Sequence, residues 1–84
     1  MDARIAEEIL RQADGCAPGR SFSPEDVAKA VAEDWHGVLA RVRHVAVAMA
    51  GARRIEILRK GKPVPVERVR GVIRLRAVAT EPGA

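Results

Sequence analysis

Trp35-His-Gly-Val-Leu-Ala-Arg-Val-Arg-His-Val-Ala-Val-Ala-Met-Ala50 is the stretch on which the fold turns. Its apolar residues Trp35, Val38, Leu39, Val42, Val45, Ala46 and Met49 recur at i, i+3, i+4, i+7, i+10, i+11 and i+14, the spacing of one face of an α-helix. At 100° per residue they fit within about 120° of the helix, leaving His36, Gly37, Ala40, Arg41, Arg43, His44, Val47 and Ala48 on the other side. The first set is a core face; the second meets solvent or a partner.

Upstream, Asp34 is placed to cap this helix, and Ser23-Pro24-Glu25-Asp26 announces another. It has a hydroxyl at the cap, a proline where no amide hydrogen is wanted, and two carboxylates facing the helix dipole. This second helix runs to about Ala32. Its narrow apolar face of Val27, Ala28 and Val31 must lie against other helices to be stable. The turn of two or three residues that follows makes the pair a helix-turn-helix candidate. A first helix is expected from Ala3 to about Asp14, capped by Asp2, with Ile5, Ala6, Ile9, Leu10 and Ala13 as its buried stripe and Gly15 as a left-handed exit. Cys16 to Ser21 is a loop by composition. Ser21-Phe22 is long enough only for a single bridge to a sheet, with Phe22 pointing into the core.

Downstream, Gly51 is expected to close the long helix, and the period falls to 2 in Arg54-Ile55-Glu56-Ile57, a strand with its isoleucines on one face. Leu58 breaks that alternation and reads as the edge of the core or a small bulge. Between Arg59 and Gly71, Pro63 and Pro65 forbid a central strand while Gly61 and Gly71 mark turns, so the segment reads as a long hairpin loop. The returning strand Val72 to Ala77 puts Ile73, Leu75 and Ala77 on one face and Arg74 and Arg76 on the other. One of these arginines is placed to pair with Glu56 on the neighbouring strand. Residues 1–78 then form a single domain, and residues 79–84 a frayed tail.

Helix, bridging residues, helix, helix, strand, basic loop, strand is an α+β order, that of a winged helix, in which a small antiparallel sheet packs on a three-helix bundle. The same residues carry a family likeness. Ser23-Pro24-Glu25-Asp26-Val27-Ala28, Asp34-Trp35, Val42-Arg43, Arg54-Ile55-Glu56-Ile57, Gly61-Lys62-Pro63-Val64 and Arg70-Gly71-Val72-Ile73-Arg74-Leu75 together resemble a family of short bacterial proteins known only as a domain of unknown function. The resemblance covers nearly the whole chain and departs at Val72, where the family usually has proline. It implies a winged-helix-like fold in a bacterial cytoplasm and brings no catalytic residues with it.

Composition narrows the function. Eighty-four residues make one domain with a thin core, since a domain this size buries only roughly 60% of its unfolded surface. No apolar run approaches the roughly 18 residues of a membrane span, and Met1 to Leu10 lacks the pattern of a signal peptide, so the expected location is the cytoplasm, with no membrane partner. Cys16 is the only cysteine, which excludes an internal disulfide and leaves an idle thiol as the plain reading. His36 and His44, about 80° apart and two turns along the helix, are a poor ligand pair, and no metal or cofactor is expected. Glu7 and Glu8 point about 100° apart and read as a solvated face rather than an acid–base pair. No Gly-rich loop is followed by Lys-Ser or Lys-Thr. No enzyme site emerges.

The net charge of +4 hides a division. Met1 to Asp34 holds four basic residues (Arg4, Arg11, Arg20, Lys29) against eight acidic ones, a balance of −4. Trp35 to Ala84 holds eleven basic residues against Glu56, Glu67 and Glu81, a balance of +8. Such polarity draws a polyanion to the second half, although a charged face also merely keeps a small protein soluble. On a winged helix the third helix would enter the major groove of duplex DNA and the basic loop would lie along phosphates. The expected nucleic-acid-binding residues are Arg41, Arg43, His44, Arg59, Lys60, Lys62, Arg68 and Arg70. Readout would be weak. The chain has no asparagine and its one glutamine, Gln12, is on the first helix, so a bidentate amide for adenine is missing. With Trp35 and Phe22 as the only aromatics, and Trp35 best read as a core anchor, single strands also lack their stacking platform. The rival expectation is a protein-interaction module or homodimer, using the smooth strip of Gly37, Ala40, Val47 and Ala48.

Overall fold

The computed structural model describes residues 1–17 and 19–78. Three helices, α1 (Asp2–Gly15), α2 (Pro24–Val31) and α3 (Leu39–Gly51), pack on a sheet of β1 (Ile55–Arg59), β2 (Lys62–Pro63) and β3 (Arg74–Ala77), all antiparallel and in the order β2-β1-β3. The expected α+β class is present. So is the single bridge: Phe22 exchanges two backbone hydrogen bonds with Leu75, at 2.9 and 2.7 Å, and the residue is 4% exposed.

One core joins the layers. Ile5, Ile9 and Ala13 from α1, Val27, Ala28 and Val31 from α2, and Val42, Val45, Ala46 and Met49 from α3 meet Phe22, Ile55, Ile57, Ile73 and Leu75. Each large aliphatic side chain so buried contributes roughly 1.5–3 kcal/mol, which a chain this short needs. The start of α2 follows the expected chemistry, with Ser23 Oγ accepting from the Asp26 amide and the Asp26 carboxylate accepting from the Ser23 amide, both at 3.1 Å.

The helix ends depart from expectation. Asp2 does not cap α1: it is the first helical residue, Met1 stands at the cap position without a side-chain bond, and the Asp2 carboxylate reaches Arg41 instead. Gly15 stays inside α1, and the chain leaves through Cys16 in an extended conformation, with the left-handed glycine at Gly19. The long helix is two pieces, a 3-10 turn over Trp35–Val38 and then α3. Asp34 gives no side-chain cap; its backbone carbonyl accepts from the Gly37 amide at 3.2 Å, which tightens the entry to three residues per turn. At the far end Gly51 is the last helical residue, and the left-handed position falls on Arg53, at φ 62. The Arg54 amide bonds Met49 O at 2.9 Å and the Arg53 amide bonds Ala50 O at 3.0 Å, the paired closures of a Schellman end with arginine where glycine is usual.

The segment after β1 is not a long open loop. Lys60 and Gly61, at φ 54 and 80, form a two-residue turn that returns the chain at once as β2, with Arg59 opposite Lys62 and Leu58 opposite Pro63. Positive φ at both central residues matches the right-handed twist of the flanking strands. Pro63 is tolerated because β2 is an edge. The chain then makes a 3-10 turn over Val66–Arg68 that packs on α3, and re-enters the sheet at Arg74 rather than Val72, which is 86% exposed. Leu58 is not a bulge: it pairs Pro63 on one side and Arg74 on the other in unbroken register, and it is 5% exposed while standing outside the main core cluster, at the edge of the core. Ala77, expected on the buried face, is exposed at the end of β3. The expected tail, residues 79–84, lies outside the described residues.

Candidate nucleic-acid interface

The residues expected to touch nucleic acid divide into two groups. On α3, both arginines are engaged. Arg41 Nε donates to Asp2 Oδ1 at 2.7 Å, an ion pair between exposed side chains that holds α3 to α1. Arg43 is half-buried and its Nη1 donates to Gly71 O at 2.9 Å, fixing the turn before β3. What α3 presents outward is Ala40, His44 and Ala48, spaced by four and exposed, with Arg41 on their flank. This is a narrow ridge with one polar side chain. Both arginines expected to contact nucleic acid from this helix are bonded within the protein itself.

Val47, expected on the same outer strip, is half-buried and packs against the core. The segment after β2 covers that side of α3. Val64 and Val69 join the core margin, residues from Pro63 to Glu67 lie near Ala50 and Gly51, and Gly71 reaches Arg43 one helical stretch earlier. The sequence hid this because nothing in its pattern says that a Pro-rich loop turns back onto a helix.

The hairpin holds the second group. Arg59 ends β1 half-buried, Lys60 forms the turn, Lys62 opens β2, Arg68 ends the 3-10 turn and Arg70 lies beyond it, all four of these last exposed. Among the described residues the ion pairs are Arg11–Glu8, Arg41–Asp2 and Arg76–Glu56. Among the described residues, no carboxylate lies within 4.0 Å of any of these five cations. Glu67 is the one acid beside them. The positive half of the chain is thus concentrated at the hairpin and less available on α3.

The two strand arginines separate. Arg76 donates through Nε and Nη2 to Glu56 Oε1 at 3.2 and 2.9 Å, directly across the β1–β3 pairing, as expected for one of the two. Arg74 binds Ser21 through its hydroxyl and carbonyl at 2.7 and 2.9 Å, and so fastens the sheet to the segment before α2.

Trp35 is half-buried against the core, stacked on His36 with centroids 3.7 Å apart and with Lys29 Nζ 4.9 Å from its ring centre. That is an anchoring role for the α2–α3 turn, as its spacing implied. Glu8, read from sequence as solvated, accepts from Arg11 Nε at 2.9 Å and Gln12 Nε2 at 2.8 Å, and its side chain is 15% exposed. The Arg11 hydrogen bond, with help from Gln12, outweighs desolvation and holds the Glu8 carboxyl below its ordinary range. Among the described residues no helix is long and apolar enough to cross a membrane, and no group of three metal-ligating side chains forms.

Comparison with known proteins adds a family but not an activity. The family model "Protein of unknown function (DUF3253)" matches residues 2–78. The chain belongs to the DUF3253 family. The match spans every helix and strand described above, so the likeness noted from short motifs extends to the whole fold of this DUF3253 chain. A comparison with curated proteins finds no match.

Proposed function

We propose that this DUF3253 chain is a non-catalytic winged helix of the cytoplasm that binds duplex DNA, gripping phosphates with the β1–β2 hairpin and the turn after it. The reading rests on one observation: Arg59, Lys60 and Lys62 on the hairpin and Arg68 and Arg70 at and after the 3-10 turn have no carboxylate among the described residues within 4.0 Å. Phosphate contacts position a protein on a duplex but carry no sequence information. With Arg43 bonded to Gly71 and only His44 on the outer ridge of α3, selectivity is expected to be weak. Arg41 is still recruitable, since an exposed pair with Asp2 is worth about 0–1 kcal/mol and a phosphate can replace the carboxylate.

Fluorescence anisotropy with random and GC-rich duplexes at two salt concentrations tests the reading. Five neutralised phosphates give a slope of about −4.5 in log K against log salt, or roughly a 500-fold loss of affinity between 50 and 200 mM. Absence of binding at 50 mM would end the proposal.

A protein-interaction role has a different observation behind it. A shallow groove of about 380 Å³ between α1 and α3 is lined by Ala3, Ala6, Val45, Ala48 and Met49 under His44. If this groove seats a partner or a second copy, Ala3→Asp, on the α1 side of the groove, should abolish the complex in sedimentation while leaving the salt slope of duplex binding unchanged. Val47→Asp would be a poor test, because Val47 packs inward.

A further inference from the structure

Arg59, Arg68 and Arg70 come from the end of β1, the 3-10 turn and the segment beyond it, yet they line one concavity of about 450 Å³ together with Val64, Val69 and Glu67. We propose that this concavity is a phosphate-binding pocket, taking one phosphate group of a phosphoester between the three guanidinium groups. The proposal does not depend on the duplex reading, because the same pocket would take a phosphate carried by a small molecule.

Three observations point to it. Guanidinium groups are planar forks that match phosphate oxygens in pairs, and three arginines lining one concavity repel one another unless an anion offsets their charge. Here the repulsion is not relieved from within: among the described residues no carboxylate lies within 4.0 Å of any of the three, although Glu67 lines the same concavity; Arg4, Arg20, Arg53 and Arg54 also lack an acid partner but do not line this concavity. The pocket is also firmly built. Arg59 stands on the central strand, half-buried, with its guanidinium about 4 Å from the position a side chain would take at Gly71, and Gly71 is itself fixed by Arg43. Val64 and Val69 form walls that are packed on the core, so the cations face a partly apolar surface where charge interactions are stronger than in open water. Finally, the concavity opens to solvent beside the exposed Arg68 and Arg70 and, at about 450 Å³, has room for a phosphate together with the group it esterifies.

The experiment is a proton–nitrogen NMR titration of the full chain at constant ionic strength with inorganic phosphate, a nucleoside 5′-monophosphate, the corresponding nucleoside, and a short duplex. Phosphate and nucleotide should saturate shifts of the Arg59 side-chain Nε and of the amides from Val66 to Gly71, while the nucleoside moves neither. Arg59→Gln should weaken the nucleotide roughly tenfold, the loss of one charge-assisted hydrogen-bonding group. Should that change disturb the sheet, the exposed pair Arg68→Gln with Arg70→Gln removes two such groups away from β1 and should weaken the nucleotide by more than tenfold. Glu67→Gln should tighten binding by removing the one repelling charge. Shifts that stay linear and spread equally over Arg53 and Arg54 would mean ionic screening and overturn the pocket. A duplex that binds while the nucleotide fails to saturate overturns the pocket and leaves the duplex reading standing; saturation by the nucleotide without duplex binding does the reverse.

Discussion

Arg53 holds the one left-handed backbone position at the end of α3, and a side chain there costs roughly 1 kcal/mol that glycine would not. Two residues earlier Gly51 sits in helical geometry with open space where a Cβ would go. The chain therefore has its glycine and its arginine in the reverse of the order that a Schellman end favours. Arg53→Gly should raise stability by about 0.5 kcal/mol after the entropy of the unfolded glycine is counted, and Gly51→Ala by about 0.5–1 kcal/mol. Gly61→Ala, at φ 80 in the tight turn, should lower it by about 1 kcal/mol or more. Urea unfolding of the three variants checks the signs. The middle one is decisive, since a helix closed by a left-handed Gly51 would be destabilised by alanine. Sequence spacing located this helix end to within two residues and missed which residue bends, because a glycine near a helix end and a glycine at the bend look alike until hydrogen bonds are assigned.

Among the elements, α2 was the most legible and the hairpin the least. Four consecutive residues, Ser23 to Asp26, each have a distinct job at a helix start, and the structure uses them all. Ser23→Ala should lower stability by about 1 kcal/mol, readable as a shift in thermal midpoint of roughly 4–8 °C for a domain this size. The turn at Lys60-Gly61 was missed because the residue that usually announces it is asparagine or aspartate; lysine tolerates positive φ only when the flanking pairs enforce it. Lys60→Asn should accordingly raise stability by a few tenths of a kcal/mol, with Arg59 opposite Lys62 unchanged. Between α1 and α2, Gln12 bridges the Glu8 carboxylate to the carbonyl of Asp26, at 2.8 and 3.1 Å. Because Arg11 depresses the Glu8 carboxyl in the folded state, its stabilisation is present above the unfolded carboxyl range and is lost as pH falls through the folded value. The stability difference between the native chain and Glu8→Gln should thus be largest near neutrality and shrink below about pH 4.5, the ordinary glutamate value. A difference that stays flat into acid would show that the carboxylate contributes nothing to the joint between the two helices.

At the scale of the molecule, the division of charge was readable by counting, but its placement was not. A tally over Trp35 to Ala84 treats Arg41, Arg43, Arg74 and Arg76 like the hairpin cations, whereas the fold spends those four on Asp2, Gly71, Ser21 and Glu56. A polyanion attracted to this protein would then respond either to the overall field, which any cation feeds, or to the local hairpin surface. Two double variants with the same loss of net charge separate these. Lys60→Ala with Lys62→Ala removes two hairpin cations. Arg4→Ala with Arg20→Ala removes two exposed ones from α1 and from the segment before Phe22, which pairs at the sheet edge opposite β2. If the hairpin makes the contacts, the first pair should lower the magnitude of the salt slope by about 1.8 and weaken all duplex sequences alike, while the second leaves the slope unchanged. A general field predicts equal, small losses of association from both pairs and no change in slope from either, because counterions are released only where phosphates are touched.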